Sequence, residues 1–209
     1  MGIIEHKIKF IGEVKGFLAE DEMDALYEAG RMCAPLGPCL EVGSYCGLST
    51  ICLATGIKEE GGVLFSIDHH RGSEEHQRGE EYFDPDLWDR ENNRVNTLPE
   101  FLKNIERACL LDTVIPIVSS SHVVARMWST PLSLVFIDGS HSFDSARRDY
   151  ICWAPHVLAG GILAIHDVFF DPKEGGDAPR RIYEMALASG LFERMSLINT
   201  LALLRRIST

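Results

Sequence analysis

Three aspartates and a histidine stand where apolar runs of the chain end. Asp68 closes Val63-Leu64-Phe65-Ser66-Ile67, Asp138 closes Leu132 to Ile137, and His166 with Asp167 closes Ile162 to Ile165. A carboxylate offers paired acceptor oxygens for hydroxyl or amine groups, and aspartates beside an imidazole are also metal-ligand types. A second kind of chemistry belongs to Glu41-Val42-Gly43-Ser44-Tyr45-Cys46-Gly47-Leu48-Ser49-Thr50. There an apolar run breaks at a glycine that lets the backbone turn sharply and approach a ligand without a Cβ in the way. The helix-like run after it would offer its N-terminus to a ligand. A serine cluster, Ser119 to Ser121, ends one more apolar run, and His69, His70 and His76 crowd a charged stretch. No Cys-x-x-Cys pair or zinc spacing accompanies these histidines, and histidines on a loop are ordinarily solvated.

The elements that must position these groups follow from periodicity. The organising strand is expected from about Pro38 through Cys39, Leu40 and Val42, and Leu48, Ile51, Cys52 and Leu53 give the next helix its buried side. Gly61-Gly62 precedes the strand that ends at Asp68, which completes a βαβ unit. From Asp21 the spacing of Met23, Leu26, Tyr27 and Gly30 predicts a helix, with Asp21, Glu22 and Asp24 at the end where its dipole favours carboxylates. Residues 1–19 follow no single period and are expected to pack on the domain or on a partner subunit. Thr97 and Glu100 have capping-box spacing ahead of an apolar stripe of Leu98, Phe101, Leu102 and Ile105. Val114 to Val118 and Leu132 to Ile137 read as further strands. Ser142 starts a helix to about Val157, with Phe143, Ala146, Tyr150, Ile151 and Trp153 on its buried side, and Gly160-Gly161 is expected to end that element before a strand over Ile162 to Ile165. Asp177 and Pro179 open a last helix that stops near Gly190, and the runs Leu191 to Leu197 and Leu201 to Arg205 suit a closing hairpin.

Between His69 and Asn96 the pattern gives way to a charged segment that holds Tyr82, Phe83 and Trp88. A stretch of this length suits a functional loop or lid, with room for a few turns of helix, and its three aromatics suit either an apolar wall over a substrate or the packing of a fixed surface excursion on the core.

Bulk properties narrow the class. With 209 residues, 45% apolar and 24% charged, the chain suits one well-buried domain. A net charge of -11 argues against a nucleic-acid partner, because affinity for phosphate backbones comes largely from lysine and arginine. The six cysteines fit reduced thiols of a cytoplasmic protein. The first apolar stretch, Ile3 to Val14, is broken by Glu5, His6, Lys7, Lys9 and Glu13, which fits neither a signal peptide nor a membrane span. Alternating strands and helices with near-continuous apolar strands predict an α/β sheet covered on both faces. Ligands then bind beyond the carboxyl ends of the strands, where Gly43, Asp68, Ser119 to Ser121, Asp138, His166 and Asp167 all fall.

These residues carry a resemblance. The chain is similar to class I S-adenosylmethionine-dependent methyltransferases, and Glu41-Val-Gly-Ser-Tyr-Cys-Gly-Leu-Ser49 resembles the glycine motif of the catechol O-methyltransferase-like enzymes. Phe136-Ile-Asp-Gly-Ser-His141 and Gly160-Gly-Ile-Leu-Ala-Ile-His-Asp167 resemble segments of a related family that includes cephalosporin hydroxylase-like and macrolide-sugar methyltransferase-like proteins. The likeness runs over roughly residues 36 to 207. It implies a Rossmann-like class I methyltransferase fold: a mostly parallel seven-stranded sheet, helices on both faces, and a C-terminal antiparallel hairpin. A single domain over 1–209 would carry a helical extension over 1–35 and an inserted loop or lid over 69–96.

The resemblance also implies roles. Glu41, Gly43, Ser44, Tyr45 and Gly47 would line the methionine part of S-adenosyl-L-methionine, with Ser49 near its carboxylate. Asp68 would accept hydrogen bonds from both ribose hydroxyls, Ser120 and Ser121 would lie beside the adenine, and Asp138 would lie near the cofactor amino group. Read singly, the two glycines suit an ordinary strand-to-helix turn and Asp68 a strand-end cap; their joint spacing points to a cofactor site. In catechol-type enzymes two aspartates and an asparagine hold a divalent metal. Asp138 and Asp167 match the aspartates, Val168 stands at the asparagine position, and His166 is the candidate substitute. A lysine three residues after the fourth-strand aspartate of those enzymes corresponds here to His141, a candidate general base, the alternative being a helix cap. The expected activity is methyl transfer to a small-molecule acceptor, most simply at oxygen. Against it stand a non-catalytic cofactor-binding or hydroxylase-like relative, and an NAD-dependent oxidoreductase, whose Gly-x-Gly-x-x-Gly turn is missing. Residues 1–19 are a candidate homodimer contact.

Overall fold

The computed structural model describes residues 2–80, 82–139, 142–171 and 175–207. In chain order the elements are α1 (Ile3–Lys7), α2 (Glu20–Cys33), β1 (Cys39–Val42), α3 (Leu48–Glu59), β2 (Leu64–Asp68), β3 (Trp88–Asp89), β4 (Arg94–Val95), α4 (Leu98–Arg107), β5 (Val114–Val118), α5 (Ser121–Ala125), β6 (Leu132–Ile137), α6 (Phe143–Trp153), β7 (Val157–Ile165), α7 (Ala178–Ala188), β8 (Phe192–Ile198) and β9 (Leu201–Arg206).

Seven strands form one sheet in the order β5-β2-β1-β6-β7-β9-β8. β1 lies between β2 and β6 with parallel pairing on both sides, and β9 runs antiparallel to both β7 and β8. The sequence explains why both faces are covered. In β6 the alternate residues Leu134 and Phe136 join a core with α2, α3 and α4, while Val135 and Ile137 join a second core with α6 and α7. A period-two strand with apolar residues on both faces must bury both sides, and the helices on each face supply the partners; the one polar residue of β6, Ser133, donates its hydroxyl to the Gly37 carbonyl. The strand order turns back at β1 and β6, so the crevice beyond their carboxyl ends is open to a ligand.

The structure corrects the expected elements at particular points. β7 begins at Val157, not Ile162, because the pairing with β6 shifts register between Leu132 and Leu134; Gly160, at φ +83°, sits in that irregularity and does not end the preceding element. The helix before it stops at Trp153, and Ile151, expected in the core, is exposed. Leu102 of α4 is exposed as well. Thr97 makes no capping bond to α4; its hydroxyl lies 2.8 Å from Nδ1 of the buried His70, and its amide donates to the His70 carbonyl.

The insertion is not structureless. It contains two 3-10 turns, over Glu74–His76 and Pro85–Leu87, and the β3–β4 ribbon, with Leu87 and Val95 buried against Cys46. Residues 1–19 also find a place on the domain. The Asp24 carboxylate, expected to serve the α2 dipole, instead accepts the Ile3 and Ile4 amides at the start of α1. Farther along, Lys15 bridges to the insertion through Asp84 at 2.5 Å and Asp86 at 3.0 Å. Among the described residues no helix is long and apolar enough to cross a membrane. All six cysteines are free thiols, as expected.

Candidate active site

The carboxyl ends of β1, β2, β5, β6 and β7 open into one cavity of about 1370 Å³. That exceeds the 300–1,000 Å³ of an ordinary small-ligand pocket and gives room for two molecules side by side. Gly43, Ser44, Tyr45, Ser49, Asp68, Ser120, Ser121, Asp138, His166 and Asp167 all line it. Two expected members do not. Glu41 is 0% exposed beneath the turn, and Gly47 is the N-cap of α3 with Phe101 and Ile105 beside its α-carbon.

Glu41 has a different task. Its carboxylate accepts from the hydroxyls of Ser49 and Thr50, both at 2.6 Å, and of Ser66 at 2.8 Å, which pins the start of α3 to β1 and β2. Burial pushes its pKa up to about 7 although these three donors oppose the shift. Ser49 borders the cavity, yet its hydroxyl is committed to the buried Glu41.

The turn itself depends on Gly43. Its φ is +90°, and a Cβ there would overlap the carbonyl oxygen of Asp138, so only glycine brings β1 and β6 together at their ends. Asp68 then holds the backbone after the glycine: Oδ2 accepts from the amides of Ser44 and Tyr45 at 3.0 and 2.9 Å, and Oδ1 accepts from the His70 amide at 2.7 Å. Each carboxylate oxygen has about two acceptor positions, so Oδ1 retains one for a ligand. The expected paired acceptor is largely committed to backbone. Ser44 Oγ, in contrast, is buried in the cavity wall with no hydrogen-bond partner among the described residues, a group suited to a polar ligand.

The opposite wall holds Asp138, His166 and Asp167. His166 is 4% exposed, with Nδ1 3.2 Å from Asp138 Oδ1 and 3.4 Å from Asp167 Oδ2, and Nε2 3.2 Å from Glu22 Oε2. Burial alone would lower its pKa, but the three carboxylates raise it strongly. Glu22 shows the reverse: burial would raise it, and the bonds from His166, Ala19 and Thr200 bring it down. One donor atom from each of Asp138, His166 and Asp167 lies within 4.8 Å of the others. Two carboxylate oxygens and an imidazole nitrogen fit a divalent cation, and Glu22 on Nε2 is the outer carboxylate that a metal-bound histidine ordinarily has. A proton on Nδ1 joins the same groups without one. Val168 is 1% exposed in the second core, with its amide donating to the Thr200 carbonyl, and offers no ligand.

Glu22 was legible only as a helix-end charge. Its neighbours Ala19 and Thr200 are far apart in sequence, and only the folded chain brings both to it: Oε2 accepts from the Ala19 amide, Oε1 from the Thr200 amide and hydroxyl. Asp149 was likewise not singled out; from α6 it reaches the Ser121 hydroxyl and is 5% exposed. The three loop histidines do not converge. His70 bonds Thr97, His76 bonds Ser73 Oγ at 2.8 Å, and His69 Nδ1 accepts from the Arg71 amide.

At the cavity mouth Phe17 meets Tyr82 edge-on at 5.3 Å, and Tyr45 lies 4.9 Å from the His76 ring. Of the three aromatics expected to wall the cavity only Tyr82 does so. Phe83 and Trp88 pack against each other at 5.7 Å. Phe17, from the stretch that had no readable period, takes their place. His141 lies outside the described residues.

The fold is that of a class I methyltransferase. The chain belongs to the methyltransferase domain family, whose model matches residues 40–168, and is an S-adenosylmethionine-dependent enzyme of that kind. Solved structures agree in fold. An O-methyltransferase from Bacillus cereus, solved in complex with SAH, superposes with a TM-score of 0.65 at 16% identity over 98% of this chain and 90% of its own. The O-methyltransferase TomG from Streptomyces achromogenes, solved with SAM, gives 0.63 at 16% identity over 92% and 82%. The SAH-bound methyltransferase PaMTH1 from Podospora anserina gives 0.64 at 10% identity over 97% and 87%.

Proposed function

We propose that this enzyme transfers the methyl group of S-adenosylmethionine to an oxygen of a small-molecule acceptor. The observation that carries this reading is the shared cavity of about 1370 Å³ into which β1, β2 and β6 deliver the glycine turn, Asp68 and Asp138. The turn over Gly43, Ser44 and Tyr45 and the start of α3 at Ser49 receive the methionine part, and Asp68 Oδ1 takes a ribose hydroxyl. Asp138 faces the cofactor amino group, and Ser120 and Ser121 face the adenine. The acceptor occupies the rest of the cavity, toward Phe17, Tyr45 and Tyr82, and residues 69–96 with the segment around Lys15 cover it.

In the reaction an acceptor oxygen attacks the methyl carbon, the carbon–sulfur bond breaks, and S-adenosylhomocysteine leaves as a neutral thioether. The acceptor proton needs a base, and His141 is the residue proposed. Where a divalent cation is bound, Asp138, Asp167 and His166 Nδ1 would hold it, and it would supply a Lewis acid that acidifies the acceptor hydroxyl.

The test is transfer of labelled methyl from S-adenosylmethionine across a panel of hydroxylated and amino acceptors, with and without a chelator, alongside melting temperatures with S-adenosylmethionine, S-adenosylhomocysteine and NAD. Label in an ether or ester product and stabilisation by the two sulfur cofactors alone are expected. Stabilisation by NAD alone, or label confined to nitrogen, would contradict the reading.

A further inference from the structure

We propose that His70 and Asn104 are positioning residues: from outside the cavity they hold the turn over Gly43 to Gly47 in the shape that receives the amino-acid end of the cofactor. The inference deepens the cofactor reading above and rests on it.

Its ground is a turn that the chain does not adopt unaided. Gly43 at φ +90°, Tyr45 at +45° and Gly47 at +95° all have left-handed backbone. Glycine takes that conformation freely, but a bulky residue such as Tyr45 does so only where its surroundings over-determine it. Side chains from other elements supply that constraint. Asp68 of β2 takes the amides of Ser44 and Tyr45. The carbonyls go elsewhere: that of Ser44 to the Gly47 amide at 2.7 Å, that of Tyr45 to the His70 ring, and that of Cys46 to Asn104 Nδ2 of α4 at 2.9 Å.

Both side chains are suited to holding the turn, not to touching a ligand. Each is 3% exposed, and neither borders the cavity. Burial lowers the His70 pKa, so the ring is neutral near physiological pH, with one N–H and one acceptor nitrogen. The Tyr45 carbonyl can only accept and takes the N–H, while the Thr97 hydroxyl donates to Nδ1 at 2.8 Å. Phe101 of α4 packs 5.1 Å from the same ring. Held in this way, the turn presents Ser44 Oγ, buried in the cavity wall with no hydrogen-bond partner among the described residues. A preset turn gives that hydroxyl a fixed aim, whereas a slack one must be ordered by the ligand at a cost in affinity.

The experiment compares S-adenosylhomocysteine with 5′-methylthioadenosine, which keeps the nucleoside and the sulfur but lacks the amino-acid part, by competition calorimetry. Wild type is expected to prefer S-adenosylhomocysteine by at least about a hundredfold, the gain from hydrogen bonds to its two charged groups. In His70→Ala and Asn104→Ala that preference should shrink by at least about tenfold, with methylthioadenosine affinity within about threefold of wild type. His70→Gln, whose amide can donate and accept, should keep the preference within about threefold of wild type. Equal wild-type affinity for the two ligands would overturn the proposal without any variant having to fold. So would an undiminished preference in the folded alanine variants, or a loss shared equally by both ligands, in each case with the cofactor reading intact. If wild type binds neither ligand, the cofactor reading fails and the proposal falls with it.

Discussion

Glu41 shows how a motif residue can serve a cofactor turn without touching a ligand. It is the only fully buried carboxylate that the turn contains, and three hydroxyls hold it. Its folded pKa of about 7 stands above the ordinary 4.5, so the native state holds a proton that the unfolded chain releases as pH rises through that window. The stabilising contribution is complete below about pH 4.5 and is lost by about pH 7, on the order of 3 kcal/mol in all. Glu41→Gln is neutral throughout. Denaturant melts at pH 4.5 and pH 8 should therefore show wild type losing about 3 kcal/mol more than the variant; parallel losses would refute a buried, late-titrating Glu41. The sequence identified this residue as part of a motif, but a glutamate within a strand carries no sign of whether its pleat faces a cleft or a core. The hydroxyls at Ser49, Thr50 and Ser66 were the available signal, and they become partners only once β1, β2 and α3 meet.

Among the elements, α2 matters more to the site than its position before β1 suggests. Glu22 ties the N-terminus of α2 to the β8–β9 turn at Thr200 and to His166 at the end of β7. Removing one partner of a buried charged network leaves the others unsatisfied, so Glu22→Ala should cost about 3 kcal/mol in a urea melt. A cost below about 1 kcal/mol would show that His166 is held adequately by Asp138 and Asp167 alone. The periodic elements were readable because their apolar positions recur: Met23, Leu26 and Tyr27 in α2 and Leu132 to Ile137 in β6 are buried as their spacing required. Failures fell where local signals compete. Gly160-Gly161 looked like a stop and is a strand irregularity, and Thr97 looked like a cap and instead bonds His70. Residues 15–18 carried no period because they form a wall segment held by Lys15 and long-range ring contacts.

At the scale of the whole molecule, the sheet order explains why residues more than a hundred positions apart share one cleft. β1 is flanked by β2 on one side and β6 on the other, so Gly43, Asp68 and Asp138 emerge together, and β7 adds His166 and Asp167. The fold class and the strand-end residues of the cavity were legible because strand ends in a parallel sheet gather at one edge, while Glu41 and Gly47, expected there, lie outside the lining. What each does there was less so, since the partners of Asp68 are backbone amides of a turn and leave no trace in side-chain types. That circumstance sets the central test. Asp68→Asn keeps an oxygen for the Ser44 and Tyr45 amides but puts a donor where Oδ1 would receive the ribose. Calorimetric titration with S-adenosylhomocysteine should give one site per wild-type chain and at least about tenfold weaker binding in Asp68→Asn, the loss expected for a hydrogen bond to a charged acceptor. No binding to wild type, or unchanged affinity in the folded variant, would contradict the assignment of this cleft.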